Sequence, residues 1–323
     1  MQTTQIVPYT DVNNFQFFVS DLKKSKNILI CGKKRTGKTT LVASLTSLGK
    51  NLVVADCDVD APDLHLLLKP EKVELKEKFT GSKLAVINEA LCIKCGLCEK
   101  SCRFDAIKDV KVDSILCEGC GVCAYVCPTN AITLEEKISG YVFVSKTKYG
   151  VLSHAKLEIA ESNSGKLVTL VKGNAKNLAL KENKKLILVD GPPGIGCPVI
   201  ASLGEVNLAL VVTEPTISGL HDLQRILSLT NFFKIPTFVL VNMYDLNPEK
   251  TEEIVNFCRE VGVEVVGKIP FNPVVIESLV NGKPVVEYAP ESDVSNEIRK
   301  VWYKIAVSYT HLRAHETRHD LVC

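Results

Sequence analysis

Net charge is nearly missing from this sequence: 39 Lys+Arg against 37 Asp+Glu leave a formal +2. A chain so balanced has no bulk attraction to nucleic acid or to an anionic membrane surface. Long apolar runs are missing too, and none approaches the ~20 residues that a membrane helix needs. Nor does the N-terminus carry a basic segment followed by an apolar core. Its one apolar stretch, Phe15 to Val19, is short and flanked by Asp11 and Asp21, which argues against a secretory signal. These absences point to the cytoplasm. What the chain does have is cysteine, thirteen residues in all, of which eight fall between Cys92 and Cys127 in two ordered runs. In a reducing compartment such runs bind metal more often than they form disulfides.

Along the rest of the chain, apolar runs bounded by Gly, Pro and Asn alternate with amphipathic stretches. That rhythm predicts an α/β fold with a mostly parallel sheet. Strands are expected at 27–31, 52–55, 84–87, 186–189, 208–213, 237–242 and 265–269, and helices at 38–48, 219–233, 248–261 and 273–280. Residues 91–135 break the rhythm with two self-similar halves and read as an insert. Residues 141–144 and 166–171 are expected to be strands returning to the main sheet, and the stretch before Asn27 a short extra helix. From Val307 the residues VSYTHLRAHET and the closing DLVC, read back into codons, match a sequencing-library adapter. Residues 307–323 are therefore excluded from fold reasoning as an artefact tail, and the native helix that starts near Glu291 is expected to continue differently after Ala306.

The first cysteine run is Cys92-x2-Cys95-x2-Cys98-x3-Cys102; the second is Cys117-x2-Cys120-x2-Cys123-x3-Cys127-Pro128. This is the spacing of bacterial proteins with two [4Fe-4S] clusters, where the fourth Cys of each run ligates the other cluster. Cys92, Cys95, Cys98 and Cys127 would hold one cluster, and Cys117, Cys120, Cys123 and Cys102 the second. Gly96, Gly119 and Gly121 let the backbone turn its N–H groups toward sulfur. Zinc is the alternative, since four-cysteine zinc sites also use C-x2-C pairs, but eight thiols in two runs of four suit two clusters better. Arg103 stands where Pro usually follows the first run and removes no ligand.

Gly32-Lys33-Lys34-Arg35-Thr36-Gly37-Lys38-Thr39 satisfies G-x4-G-K-[ST] between an expected strand and an expected helix, the context this phosphate loop requires. Its backbone N–H groups and the helix start would hold phosphates. Lys38 would contact the β and γ oxygens, and Thr39, followed by Thr40, would coordinate Mg²⁺. Asp190, closing the apolar run Leu186 to Val189, has the position of a second Mg²⁺ carboxylate, and Gly191 to Gly194 follows as a candidate switch.

Lys33 beside the first glycine, Asp56-Cys57-Asp58-Val59-Asp60 with Ala61 to His65, and Asp190-Gly191-Pro192-Pro193 through Pro198 closely resemble MinD-type ATPases with an inserted ferredoxin domain. That group is itself similar to the nitrogenase iron protein and to Mrp-type cluster carriers. Residues 213–222, 241–247 and 269–273 follow the same pattern, so the resemblance spans 27–306. It implies an ATPase domain formed by 27–87 and 136–306, a bacterial-type 2[4Fe-4S] ferredoxin domain at 88–135, and an N-terminal extension at 1–26. It further implies that Asp58 orients the attacking water and that Lys33 reaches the phosphates of a partner subunit. Asn242 would hydrogen-bond adenine, with Pro270 near the base. ATP, Mg²⁺ and the two clusters are the implied cofactors. A homodimer or a heterodimer with a related ATPase subunit, and a redox protein, are the implied partners. Asp56 and Asp60 also fit plain loop-capping roles, and Asn242 a turn. Cys31, Cys57 and Cys258 read as buried thiols, while Cys197 lies beside a switch. His65, His154 and His221 receive no role. In two places the chain departs from the family: Lys34-Arg35 replaces Gly-Gly, and Met243 replaces Lys.

Three functions compete: an ATPase that couples nucleotide state to electron transfer, an iron–sulfur carrier, and an electron-transfer subunit that binds nucleotide but hydrolyses it slowly.

Overall fold

The computed structural model describes residues 25–49, 52–158 and 164–319, with side chains up to Val307. The short helix expected before Asn27 lies outside these residues, as does the end of the adapter-like tail. The chain begins with β1 (Lys26–Gly32), α1 (Lys38–Gly49), β2 (Leu52–Asp56), α2 (Leu64–Leu68) and β3 (Lys72–Ile87). The cysteine region contributes α3 (Leu97–Lys100), β4 (Ile107–Lys108), β5 (Lys111–Val112) and α4 (Val122–Tyr125). There follow β6 (Ile132–Thr147), β7 (Gly150–Leu157), α5 (Ser164–Lys181), β8 (Leu186–Pro193), α6 (Cys197–Leu203), β9 (Leu208–Thr213) and α7 (Ile217–Phe232). The chain closes with β10 (Thr237–Asn242), α8 (Pro248–Glu260), β11 (Glu264–Ile269), α9 (Val274–Val280), α10 (Val285–Tyr288) and α11 (Asp293–His319).

Nine strands form one sheet in the order β11-β10-β9-β1-β8-β2-β7-β6-β3. From β11 to β7 every pairing is parallel; β6 and β3 add antiparallel at one edge. The central strands are buried on both faces. Leu188, Leu210 and Leu240 face one apolar cluster with Trp302, while their neighbours Val189, Val211 and Val241 face another. This two-sided burial explains why these strands read as continuous apolar runs with no alternation.

Two expectations need correction. Residues 166–171 are helical, not a strand: they lie in α5, whose buried positions Leu167, Val168, Val171, Ala175 and Ala179 recur on one helix face. Second, the strand expected at 84–87 is the last part of β3, which begins at Lys72. Its Lys- and Glu-rich first half is legible as a strand only once its edge position is known, because an edge strand can leave its charged side chains in water. Together β3 and β6 make a long hairpin, and residues 88–131 sit at its far end.

Candidate functional site

The parallel order brings the ends of β1, β8, β2 and β9 together, and the phosphate loop crosses them. Gly32 leaves β1 with φ of 150°, and a Cβ there would lie 2.2 Å from the Val212 carbonyl oxygen, so no larger residue fits. At Gly37, φ is 87° and a Cβ would lie 2.6 Å from the Asn242 side-chain nitrogen. Asn242, at the end of β10, donates from Nδ2 to the Thr36 carbonyl at 3.0 Å. With Lys34, Arg35, Lys38, Asp58 and Pro270 it helps to line a cavity of about 530 Å³, within the range of small-molecule pockets. Gly37, Thr39 and Thr40 border the same cavity. Phe271 lines its mouth beside Pro270, held by its N–H on Asp245 at 2.7 Å. Sequence reasoning passed over Phe271; an aromatic directly after the Ile269-Pro270 strand end was the available signal.

Lys38 is only 6% exposed and donates from Nζ to the Lys33 carbonyl at 2.7 Å. Burial lowers its pKa, opposed by Asp190 and Asp58. Asp56 and Asp190 are cross-strand neighbours on β2 and β8, each 1% exposed. Among the described residues neither Asp190 carboxylate oxygen nor Asp56 Oδ2 has a hydrogen bond of ordinary geometry, although the Thr39 hydroxyl lies near enough to favour the Asp190 charge, while Asp56 Oδ1 accepts from the Asp58 N–H at 3.1 Å. Burial pushes Asp190 up to about 7, against the lowering effects of the Thr39 hydroxyl and of Lys38. Burial, then the Asp190 charge, holds Asp56 well above its ordinary value. Burial also raises Asp58, with Lys38 opposing. Orphaned buried carboxylate oxygens are expensive unless something cationic meets them. The donors beside Thr39 therefore fit a hard divalent cation, which takes oxygen ligands.

Lys33 points along its own chain. Its Nζ donates to Glu214 Oε1 at 2.9 Å and to Ser218 Oγ at 2.7 Å, two residues of the family-like segment 213–222 to which sequence reasoning assigned no individual role. Lys34 and Arg35 are exposed at the cavity rim, and Arg35 has φ of 67°, a conformation that glycine adopts without strain.

The cysteine region has a repeated internal geometry. The Ala106 N–H donates to Cys102 Sγ at 3.4 Å, and its counterpart in the second half, the Ala131 N–H, donates to Cys127 Sγ at 3.3 Å. The Asp113 N–H meets the Ala106 carbonyl at 2.7 Å as the Asn88 N–H meets Ala131 at 2.8 Å. Gly96 and Gly121 open α3 and α4 with φ of 71° and 81°. The eight thiols divide between two cavities. One of about 480 Å³ is bordered by Cys92, Cys95, Cys98 and Cys127; a small one of about 20 Å³ is bordered by Cys102, Cys117, Cys120 and Cys123. Among the described residues no three His, Cys, Asp or Glu side chains converge as ligands of a single metal ion. The thiols instead surround two spaces: the larger has room for a polynuclear group, while the smaller has room for little more than one water. Cys31, Cys57 and Cys258 are buried and Cys197 is exposed; burial pushes Cys31 up to about 12, which leaves it an inert thiol.

The family profile described as "CobQ/CobB/MinD/ParA nucleotide binding domain" matches residues 28–285. The chain belongs to this family. It is a P-loop ATPase of MinD/ParA type, and its sheet and loop are those just described. An uncharacterised protein of Methanocaldococcus jannaschii is 36% identical over 69% of this chain and 79% of its own length. A protein of the same organism named iron-sulfur cluster carrier protein is 22% identical over 87% of this chain and 84% of its own. Among solved structures, the septum site-determining protein MinD of Pyrococcus horikoshii, complexed with Mg-ADP, superposes with a TM-score of 0.55 at 19% identity, over 87% and 96% of the two chains. That likeness is one of fold. Among the described residues no helix is long and apolar enough to cross a membrane.

Proposed function

We propose that this MinD/ParA-type ATPase couples its nucleotide state to electron transfer through two [4Fe-4S] clusters bound in the region 88–135. One observation carries the reading: the eight cysteines border two separate cavities in the crossed sets of three plus one that two-cluster spacing requires. Bound clusters would supply one-electron redox chemistry. The N–H groups of Ala106 and Ala131 would stabilise the charged Cys102 and Cys127 sulfurs.

At the nucleotide pocket, Lys38 and the loop N–H groups bind and orient the phosphates. Thr39 and Asp190, with Asp56 behind them, would hold Mg²⁺, which neutralises charge on the phosphate oxygens. Asp58 orients the water that attacks the γ-phosphorus as the bond to the ADP oxygen breaks. Asn242 presents Oδ1 as an acceptor, which suits the amino group of adenine, and Pro270 with Phe271 packs on the base. Lys33 would have to leave Glu214 and Ser218 before it could reach a partner subunit's phosphates, and that subunit would be a second copy or a related ATPase chain. The cytoplasm suits such reduced thiols.

Anaerobic purification, iron and sulfide analysis, EPR on reduction and an ATPase assay test this reading. About eight iron and eight sulfide per chain are expected, with a reducible signal and measurable ATP turnover. Stoichiometric zinc with no signal on reduction would sink it. The carrier reading has one observation in its favour, the name borne by the relative above. It requires clusters that leave readily for an acceptor protein, whereas crossed ligation predicts that they stay.

A further inference from the structure

Asn242 closes β10 and lies opposite Ile269, which closes the neighbouring β11. Beyond this pair the two segments part. After β11, Pro270, Phe271 and Asn272 border the nucleotide cavity. After β10 the chain turns away from it: Met243 takes a left-handed φ of 55°, and Tyr244–Leu246 form a single 3-10 turn. That turn is held at both ends. The Leu246 N–H donates to the Met243 carbonyl at 3.2 Å. The hydroxyl of Thr251, buried in α8, donates to the Tyr244 carbonyl at 2.7 Å.

Asp245 bridges the gap. Its Oδ1 accepts from the Phe271 N–H at 2.7 Å, a short bond assisted by the carboxylate charge. On the far side of Phe271, Asn272 fixes the chain to the start of α9: its Oδ1 accepts from the Val274 N–H at 3.0 Å and its carbonyl from the Val275 N–H at 3.1 Å. The Phe271 ring is 44% exposed, so these backbone anchors set its place more than packing does. Asp245 itself does not border the cavity, and this bears on which base the cavity suits. Guanine offers neighbouring N–H donors on its pairing edge, and a carboxylate, which only accepts, is their natural partner. Adenine offers an amino donor beside an acceptor and needs no carboxylate. The acidic group at hand for guanine would be the one three residues past Asn242. Here it is engaged with Phe271, outside the wall.

We infer that Asp245 is a positioning residue that sets Pro270 and Phe271 as an apolar wall for the base and, by staying out of the cavity, leaves the site to adenine over guanine. The inference rests on the nucleotide site proposed above, and it adds what selects the base. Lys38, Thr39 and Asp58 border the cavity and Asp245 does not. A base wall holds the nucleotide equally before and during phosphate transfer. Loss of its support therefore belongs in affinity and KM, with kcat kept.

The test uses the full chain, unmodified and as Asp245→Ala, Asp245→Asn and Phe271→Ala. MgADP and MgGDP binding, ATP turnover and amide exchange at residue 271 are recorded for each. The unmodified protein should bind MgADP tighter than MgGDP by about tenfold or more. Asp245→Ala should weaken MgADP binding by about five- to tenfold and raise the KM for ATP alike, with kcat within about twofold. Without nucleotide its Phe271 amide should exchange faster by about tenfold. Asparagine keeps an oxygen acceptor, so Asp245→Asn should hold affinity and exchange within about threefold of the unmodified protein. Phe271→Ala keeps the N–H and loses the ring, so affinity should fall while residue 271 stays protected. Combined with Asp245→Ala it should cost no more than the worse single change. An unmodified protein that binds MgADP, beside an Asp245→Ala variant that binds it equally, overturns the inference and leaves the nucleotide site standing. So does equal affinity for MgGDP and MgADP, or an Asp245→Asn variant as weak as Asp245→Ala. An unmodified protein that binds no adenine nucleotide overturns the site and the inference together.

Discussion

The nucleotide pocket and the cysteine region hold their reactive groups in opposite ways. The pocket rests on two large apolar clusters, one on each face of the sheet, and can keep Asp56 and Asp190 buried with oxygens unmet. The cysteine region shares a core cluster of only four buried residues, Ala85 of β3, Ile107, Cys123 and Ile132, with other cysteines packed around them, and Ala106 and Ala131 are buried as well. A core so small cannot order a segment by burial alone. The lesson is that the first site is built ahead of its ligand, while the second, on the proposed reading, would draw part of its folding energy from the clusters it holds.

Stripping iron from the proposed clusters is the most direct way to break that comparison. Amide exchange across 88–131 should rise by about tenfold or more, with β1 and β8 still protected. Equal loss of protection in both regions would make the two sites energetically alike. Next in size, Asp58→Asn should lower ATP turnover by about a hundredfold with nucleotide affinity within about threefold, since its proposed role is on water and not on ground-state phosphate. Parallel loss of both would recast Asp58 as a Mg²⁺ or structural residue.

A smaller effect concerns the buried carboxylates. Asp190 is raised to about 7, so the folded state keeps a proton that the unfolded chain releases at ordinary carboxylate pH. Its contribution to stability is full below the unfolded pKa of about 4 and is lost as pH rises through about 7. The metal-free protein should therefore melt lower at pH 8 than at pH 5, by a few degrees. Mg²⁺ with nucleotide should narrow the gap, and Asp190→Asn should flatten it. A profile that Asp190→Asn leaves unchanged would assign the slope to other groups.

The smallest effect lies at the rim. Arg35→Gly relieves a left-handed residue and should stabilise the loop by up to about 1 kcal/mol. Replacing Lys34 as well removes bulk and positive charge where a second subunit is expected, so ATP-dependent association and turnover should rise. Unmodified protein that already dimerises tightly with ATP, with the double variant no faster, would show that these side chains do not hinder the partner.

Much of the fold was legible because its signals are local. The spans 208–213 and 237–242 agree with β9 and β10 residue for residue, as buried parallel strands are apolar throughout. The phosphate loop was legible for a similar reason: Gly32 and Gly37 are required by contacts that only glycine permits. Residues 166–171 misled because six residues of mixed Lys, Thr and apolar character fit either period; only the full length of α5, out to Ala179, resolves it.

By itself the sequence determined the cysteine spacing, the loop and the run of buried strands, since each is written in neighbouring residues. Tertiary structure decided which distant residues meet. It placed Asn242 on Thr36, Lys33 on Glu214, and Asp56 beside Asp190. It also set the register shifts of the β3–β6 hairpin on either side of Thr80, which no composition announces. The physical reason is the strand order: a sheet that inserts β1 between β9 and β8, and β8 between β1 and β2, juxtaposes segments whose separation along the chain carries no local signal.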